Sequence, residues 1–224
     1  MAMLKLIIGN KAYSSWSLRG WLAVKQSGLP FEEITVPLYG EEWDRRNQGD
    51  EFAPSGGKVP ILWDDKAVIW DSLAIIEWLA DKTDRDRFWP AEAEARGMAR
   101  SMAAEMHSSY QNLRRELSMN VRKRFPPKDL TEPVRAEIIR ILELWAEARA
   151  RHGRGGPYLF GGFGAVDIMF APVTTRFATY SVPLPRFAAA YAESMLAQPW
   201  MREWIEAAQE EPWVIENLEL PATG

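Results

Sequence analysis

GKVPILWDDKAVIWDSLAIIEWLA, residues 57–80, reads as two short strands, a tight turn between them, and a helix. Residues 59–63 and 67–70 are apolar runs separated by Asp64, Asp65 and Lys66, the pattern of a β-hairpin. After Trp70 the apolar period changes to 3.6: Leu73, Ile76 and Ala80 share a stripe with Ile75 and Leu79 beside it, so a helix packs back on the hairpin. That helix opens at Asp71-Ser72. The first N–H groups of a helix have no intrahelical acceptor and sit at the positive end of the macrodipole, so this corner can hold a carboxylate. Asp and Ser are also ordinary N-cap residues, and taken alone they read as structural. The same holds for Val59-Pro60, since an X-Pro bond at the start of a strand is common.

Upstream, residues 3–9 are apolar at most positions and read as a strand buried on both faces. A polar loop, Asn10 to Ala12, leads through Tyr13-Ser14-Ser15-Trp16-Ser17 into a helical pattern of Leu18, Trp21, Leu22 and Lys25, which Gly28 and Pro30 stop. Residues 31–38 form a second strand, and residues 41–54 are poorly patterned, with a short helix expected at 42–47. The first eighty residues therefore run βαβ, loop, ββα, the order of a thioredoxin-like α/β domain. Composition shifts at the charged segment DKTDRDR, residues 81–87, and every pattern beyond it is helical. One long helix is expected over 91–121, then helices from Pro133 with a stripe of Ile138, Ile141, Leu142 and Trp145, over 166–180 with Pro172 inside, over 187–196 and over 200–209. Residues 1–82 and 90–224 are read as two domains, the second all-α.

At 224 residues and 47% hydrophobic content the chain can bury a substantial core. Its net charge of −4 lacks the basic footprint of a nucleic-acid binder, and the cluster Arg114, Arg115, Arg122, Lys123 and Arg124 reads as a solvated helix end. Cysteine is absent, which removes disulfides, thiolate metal ligands and any mixed disulfide on the protein itself. The two histidines, His107 and His152, have no zinc-ligand spacing, so no metal is expected. The segment GRGGPYLFGGFGAVD, residues 153–167, lacks the phosphate-loop spacing and reads as a connector. No secretory signal or membrane-spanning run is read, and a cytoplasmic location with no membrane partner is expected.

Val-Pro, a short second strand and a helix opening Asp-Ser together resemble the glutathione-binding corner of the glutathione transferases. The two-domain plan, a βαβββα half followed by a helical half, resembles that family along the whole chain. Ser14-Ser15-x-x-x-Arg19 is similar to the S-S-x-x-x-R signature of its serine-type, zeta-like bacterial branch. The resemblance implies that the Ser14 hydroxyl faces the glutathione sulfur with Ser15 in support. It also implies that Ser72 holds the γ-glutamyl carboxylate, Asp71 the γ-glutamyl amine, Val59 the cysteinyl backbone ahead of a cis Pro60, and Lys58 the glycyl carboxylate. Gln111, in a Gln-Asn-Leu run, matches a further glutathione-proximal position, and Trp16, His107 and Tyr110 are expected near the second substrate. Two departures stand out. Trp16 replaces the cysteine that follows the serine pair, and Gly164 replaces a hydroxyl cap three residues before Asp167.

The activity so implied is conjugation of glutathione, as co-substrate, to a small and largely apolar electrophile by a homodimer. Glutathione-dependent isomerisation (maleylacetoacetate isomerase-like), peroxide reduction, and a non-catalytic binding module on the same fold are the alternatives.

Overall fold

The computed structural model describes residues 3–219. The first half runs β1 (Leu4–Ile8), α1 (Ser15–Ser27), β2 (Phe31–Thr35), α2 (Glu41–Arg46), β3 (Ile61–Asp64), β4 (Ala67–Trp70) and α3 (Ser72–Lys82). The strands form one sheet in the order β2-β1-β3-β4, with β1 parallel to β2 and antiparallel to β3. The hairpin forms as expected, Leu62 opposite Ile69 and Asp64 opposite Ala67. Its first strand begins two residues later than the apolar run. Pro60 has no N–H to give to a ladder, so Val59-Pro60 precedes the strand as a cis peptide instead of belonging to it.

Strand β1 is inside the sheet, which explains its unbroken apolar character. Leu4, Leu6 and Ile8 point into the main core with Leu22, Ile75 and Leu79, while Ile7 packs with Val36, Phe52 and Ile61 on the other face. Each such side chain removed from water is worth ~1.5–3 kcal/mol. Gly28 ends α1 in the left-handed conformation (φ 71°) that only glycine adopts without strain. Gly20 serves a different purpose: a Cβ there would lie 2.8 Å from Cβ and Cγ of Pro60, so its absence lets α1 press against the turn that leads into β3.

The second half is helical: α4 (Ala93–Ser108), α5 (Gln111–Glu116), α6 (Glu132–His152), α7 (Ala165–Thr179), α8 (Arg186–Ala197) and α9 (Pro199–Glu210). Helix α7 is buried along nearly its whole length and packs against α4 and, across the halves, against α1, so one core spans both. Pro172 lies in its middle. Among the described residues no helix is long and apolar enough to cross a membrane.

The single helix expected over 91–121 is corrected to two. It stops at Ser108, and Tyr110 adopts a left-handed backbone (φ 65°) before α5 begins. The break is held from a distance. Glu137, on α6, accepts hydrogen bonds from the N–H groups of Asn112 (3.2 Å) and Leu113 (2.6 Å), capping α5, and the Tyr110 hydroxyl donates to Glu105 at 2.7 Å. Glu105 also receives Arg140 at 2.8 and 2.9 Å.

A second long-range device fixes the loop between β1 and α1. Glu211 accepts the N–H groups of Lys11 (2.7 Å) and Ala12 (3.1 Å), and Trp204 donates its indole N–H to the carbonyl of Lys11 at 2.9 Å. The Tyr13 hydroxyl donates to Glu219 at 2.6 Å, and Asn120 holds the same segment through Leu218 O (2.8 Å) and Glu219 (3.0 Å).

Candidate active site

Two helices of the first half begin at one cleft. Ser14 is the N-cap of α1, with its Oγ accepting the Ser17 N–H at 3.3 Å, and Asp71 is the N-cap of α3, with Oδ1 accepting the Leu73 N–H at 2.8 Å. The cleft has a volume of about 670 Å³ and is lined by Ser14, Trp16, Lys58, Val59, Pro60, Asp71, Ser72 and His107. Ser72 stands in the first turn of α3, fully buried, and its hydroxyl has no hydrogen-bond partner among the described residues. An unpaired buried hydroxyl costs ~1–3 kcal/mol, so a ligand that accepts its hydrogen bond recovers that cost.

Asp71 is held under strain, with φ 77° and ψ 133°, a conformation that costs a non-glycine residue of order 1–3 kcal/mol. The strain turns its side chain to serve two partners: Oδ1 caps α3, and Oδ2 lies 3.3 Å from Nε2 of His107 on α4. This pair ties the first half to the second across the cleft. His107 also meets the Trp16 ring edge-on at 5.4 Å between centroids.

Trp16 covers a buried positive cluster. The guanidinium groups of Arg19 and Arg114 lie 4.7 and 4.8 Å from its ring centroid. Arg19 has no exposed surface; its Nε–H donates to the carbonyl of Met169 at 2.9 Å, and its two terminal nitrogens have no partner among the described residues. Burial first, and then the neighbouring Arg114 and Arg176, hold the Arg19 guanidinium well below its ordinary pKa, while Asp71 opposes the shift. Arg176 is pushed down to about 9 by burial and by Arg114. Arginine keeps its proton in proteins, so this cluster adds positive potential behind the wall that Trp16 and Ser14 present.

Eight of the eleven residues selected from the sequence thus line one cleft, and three do not. Ser15 is in the first turn of α1 but is not among the lining residues; Tyr110 is buried and bonded to Glu105; Gln111 is exposed at the start of α5. The structure adds lining residues that sequence reasoning missed: Leu38, Tyr39, Trp43, Ser55, Gly57 and Trp70. Most come from the poorly patterned stretch between β2 and β3. The aromatic residues Tyr39 and Trp43 in that stretch, Tyr39 exposed and Trp43 half-buried in the structure, were the signal available there.

A model of the N-terminal domain of glutathione S-transferases matches residues 13–82, and one of the C-terminal domain matches residues 91–207. The chain belongs to the glutathione S-transferase family. The glutathione S-transferase GstB of Escherichia coli K12 is 24% identical over 206 residues, covering 90% of this chain and 92% of that protein. Among solved structures, a glutathione transferase homologue from Burkholderia with bound glutathione superposes with a TM-score of 0.69 at 21% identity, covering 93% of this chain and 99% of that one. A bacterial maleylpyruvate isomerase of the zeta class superposes with a TM-score of 0.68 at 23% identity, covering 92% of this chain and 99% of that one. The thioredoxin-like half followed by a helical half is the glutathione transferase fold, as expected from the sequence, and the enzyme class follows with it.

Proposed function

We propose that the cleft binds glutathione, that Ser14 stabilises its thiolate, and that the thiolate is conjugated to a small, largely apolar electrophile. The observation that carries this reading is that the N-termini of α1 and α3 open on the same cleft, one presenting the Ser14 hydroxyl and the other the unpartnered Ser72 hydroxyl. Glutathione is a tripeptide with a thiol near its middle and a carboxylate at each end, so it needs two such positive corners at once. In this reading Ser72 and the first N–H groups of α3 hold the γ-glutamyl carboxylate, Asp71 receives the γ-glutamyl amine, Val59 pairs through its backbone with the cysteinyl unit, and Lys58 reaches the glycyl carboxylate. Residues 1–82 form the glutathione-binding domain and residues 90–224 the helical one.

A thiol with a pKa near ~8.5 is only a few per cent ionised at pH 7, so the nucleophile must be made by the protein. One hydroxyl donor and the positive end of α1 favour the anion, with the arginine cluster behind Trp16 acting in the same direction. Ser14 does not take the thiol proton; it donates a hydrogen bond to the charge that remains. The wall of Trp16, Leu38, Tyr39, Trp43 and Trp70 supports an apolar electrophile. Trp16 and His107 border its site. The family resemblance adds a cytoplasmic homodimer to the proposal.

The experiment is an ultraviolet difference titration of the thiolate of bound glutathione between pH 5 and 9. A thiolate formed well below the free-thiol pKa supports the reading, and a bound thiol that titrates like the free one overturns it. Ser72→Ala has its own signature: the Kd for glutathione, measured calorimetrically at pH 6, should rise about tenfold, the loss of one charge-assisted hydrogen bond, while the thiol pKa stays in place. An unchanged Kd removes Ser72 from the ligand site.

A further inference from the structure

The mechanism above uses Ser14 and leaves unexplained the buried serine three residues on. Ser17 has no exposed surface, and its Oγ touches two polar partners: it accepts the N–H of Gly9 at 2.9 Å and lies 2.8 Å from Oγ of Ser14. A buried hydroxyl must also place its own proton. Gly9 N–H is a donor and offers no acceptor, so among these contacts the Ser17 proton has a single destination, the Ser14 oxygen.

We infer that Ser17 is a positioning residue that sets the direction of the Ser14 hydroxyl, an inference that rests on the reading of Ser14 as the thiolate's donor. Both hydroxyls rotate freely, so the 2.8 Å contact has two arrangements. If Ser14 donates to Ser17, the Ser17 proton is stranded in the core and the Ser14 proton points away from the cleft. If Ser17 donates to Ser14, every donor is used, and Ser14 is left with one proton and one open direction, the cleft it lines. The Ser17 N–H, 3.3 Å away, occupies a second lone pair of the Ser14 oxygen and reinforces that orientation. A chain then runs from Gly9 N–H through Ser17 O–H and Ser14 O–H to the sulfur. Each member polarises the next, which makes Ser14 a stronger donor than an isolated serine. The chain is anchored in rigid structure, since Gly9 follows β1 and Ser17 lies within α1.

The test compares wild type, Ser17→Ala, Ser17→Cys and Ser14→Ala by ultraviolet titration of bound glutathione, with the glutathione Kd measured at pH 5, where the thiol is protonated. Ser17→Ala should raise the bound thiol's pKa by ~0.5–1 unit, while the Kd at pH 5 stays within about twofold of wild type. Ser17→Cys keeps an acceptor for Gly9 N–H but donates weakly, and should show the same displacement; it also serves if Ser17→Ala fails to fold. A purely structural role for Ser17 would lower Tm and change the Kd at pH 5 without moving the pKa, and that pattern overturns the inference. A pKa unmoved in both Ser17 variants but raised in Ser14→Ala overturns it while sparing Ser14. If Ser14→Ala also leaves the pKa in place, the underlying reading of Ser14 fails and this inference falls with it.

Discussion

Ser14→Ala should raise the pKa of bound glutathione by about one unit and lower kcat/KM about tenfold at pH 6.5, since one unit corresponds to ~1.4 kcal/mol, the share of one hydroxyl hydrogen bond to the thiolate, while the α1 N-terminus and the arginine cluster remain. The effect should be confined to the charged form. At pH 5 the variant should bind glutathione as wild type does, because in the proposed binding mode the tripeptide's carboxylates and amine are assigned to Lys58, Asp71 and Ser72, not to Ser14. Stability should fall little. The cap that Ser14 gives to α1 is a long one, 3.3 Å to the Ser17 N–H, and losing a serine cap costs typically ~1 kcal/mol even when it is well formed. The kinetic loss should therefore shrink as pH rises towards the free-thiol pKa, where the anion forms without help. A loss that is uniform across pH would assign Ser14 to substrate placement instead.

The largest effect on stability is expected at Asp167. Its carboxylate is buried at the start of α7, with Oδ1 accepting the Leu159 N–H (3.1 Å) and the Tyr191 O–H (3.0 Å) and Oδ2 accepting the Gly164 N–H (3.0 Å). Glycine at 164 brings no side chain to this cap, so the aspartate carries the helix start alone. Asp167→Ala strands the buried Leu159 N–H, the partly buried Gly164 N–H and the buried Tyr191 hydroxyl and should cost ~3–5 kcal/mol in urea denaturation. A cost below about 1 kcal/mol would show that the segment re-satisfies itself.

The same carboxyl gives a pH signature of determinate sign. Burial pushes Asp167 up to about 6 from the ordinary 3.8, against the pull of its three donors. The folded state then holds the proton more tightly than the unfolded state. Its contribution is fully present below pH 4 and is lost as pH rises to about 6, a span worth ~3 kcal/mol. Asp167→Asn keeps the shape without the titration. The stability advantage of wild type over Asp167→Asn should therefore shrink by ~3 kcal/mol between pH 4 and pH 7. Parallel stability curves for the two proteins would remove Asp167 from the linkage.

What could be read from the sequence and what could not divides by distance along the chain. The hairpin of β3 and β4, the start of α3 and both ends of α1 are local: apolar period, Gly28 and the serine and aspartate caps determine them within a few residues. It was the family resemblance that implied one site for Ser14, Val59-Pro60 and Asp71-Ser72, and the structure lines a single cleft with them. The break between α4 and α5 was not legible, because the agent is Glu137, some twenty-five residues away and capping from another helix. At that break Tyr110 turns to Glu105 and Gln111 to the surface, and neither lines the cleft. The aromatic wall of Tyr39, Trp43 and Trp70 escaped for a related reason: an apolar surface kept open for a ligand leaves no periodic stripe to count.

The clamp on the loop before Ser14 bears on the order in which the molecule is made. Lys11, Ala12 and Tyr13 are synthesised about 200 positions ahead of their partners Glu211 and Glu219. At biosynthetic rates of ~5–20 residues per second, about ten seconds or more separate the synthesis of that loop from that of its clamp. The nascent chain thus carries the loop before Ser14 unclamped, and that loop is fixed only once the helical half has been translated and docked.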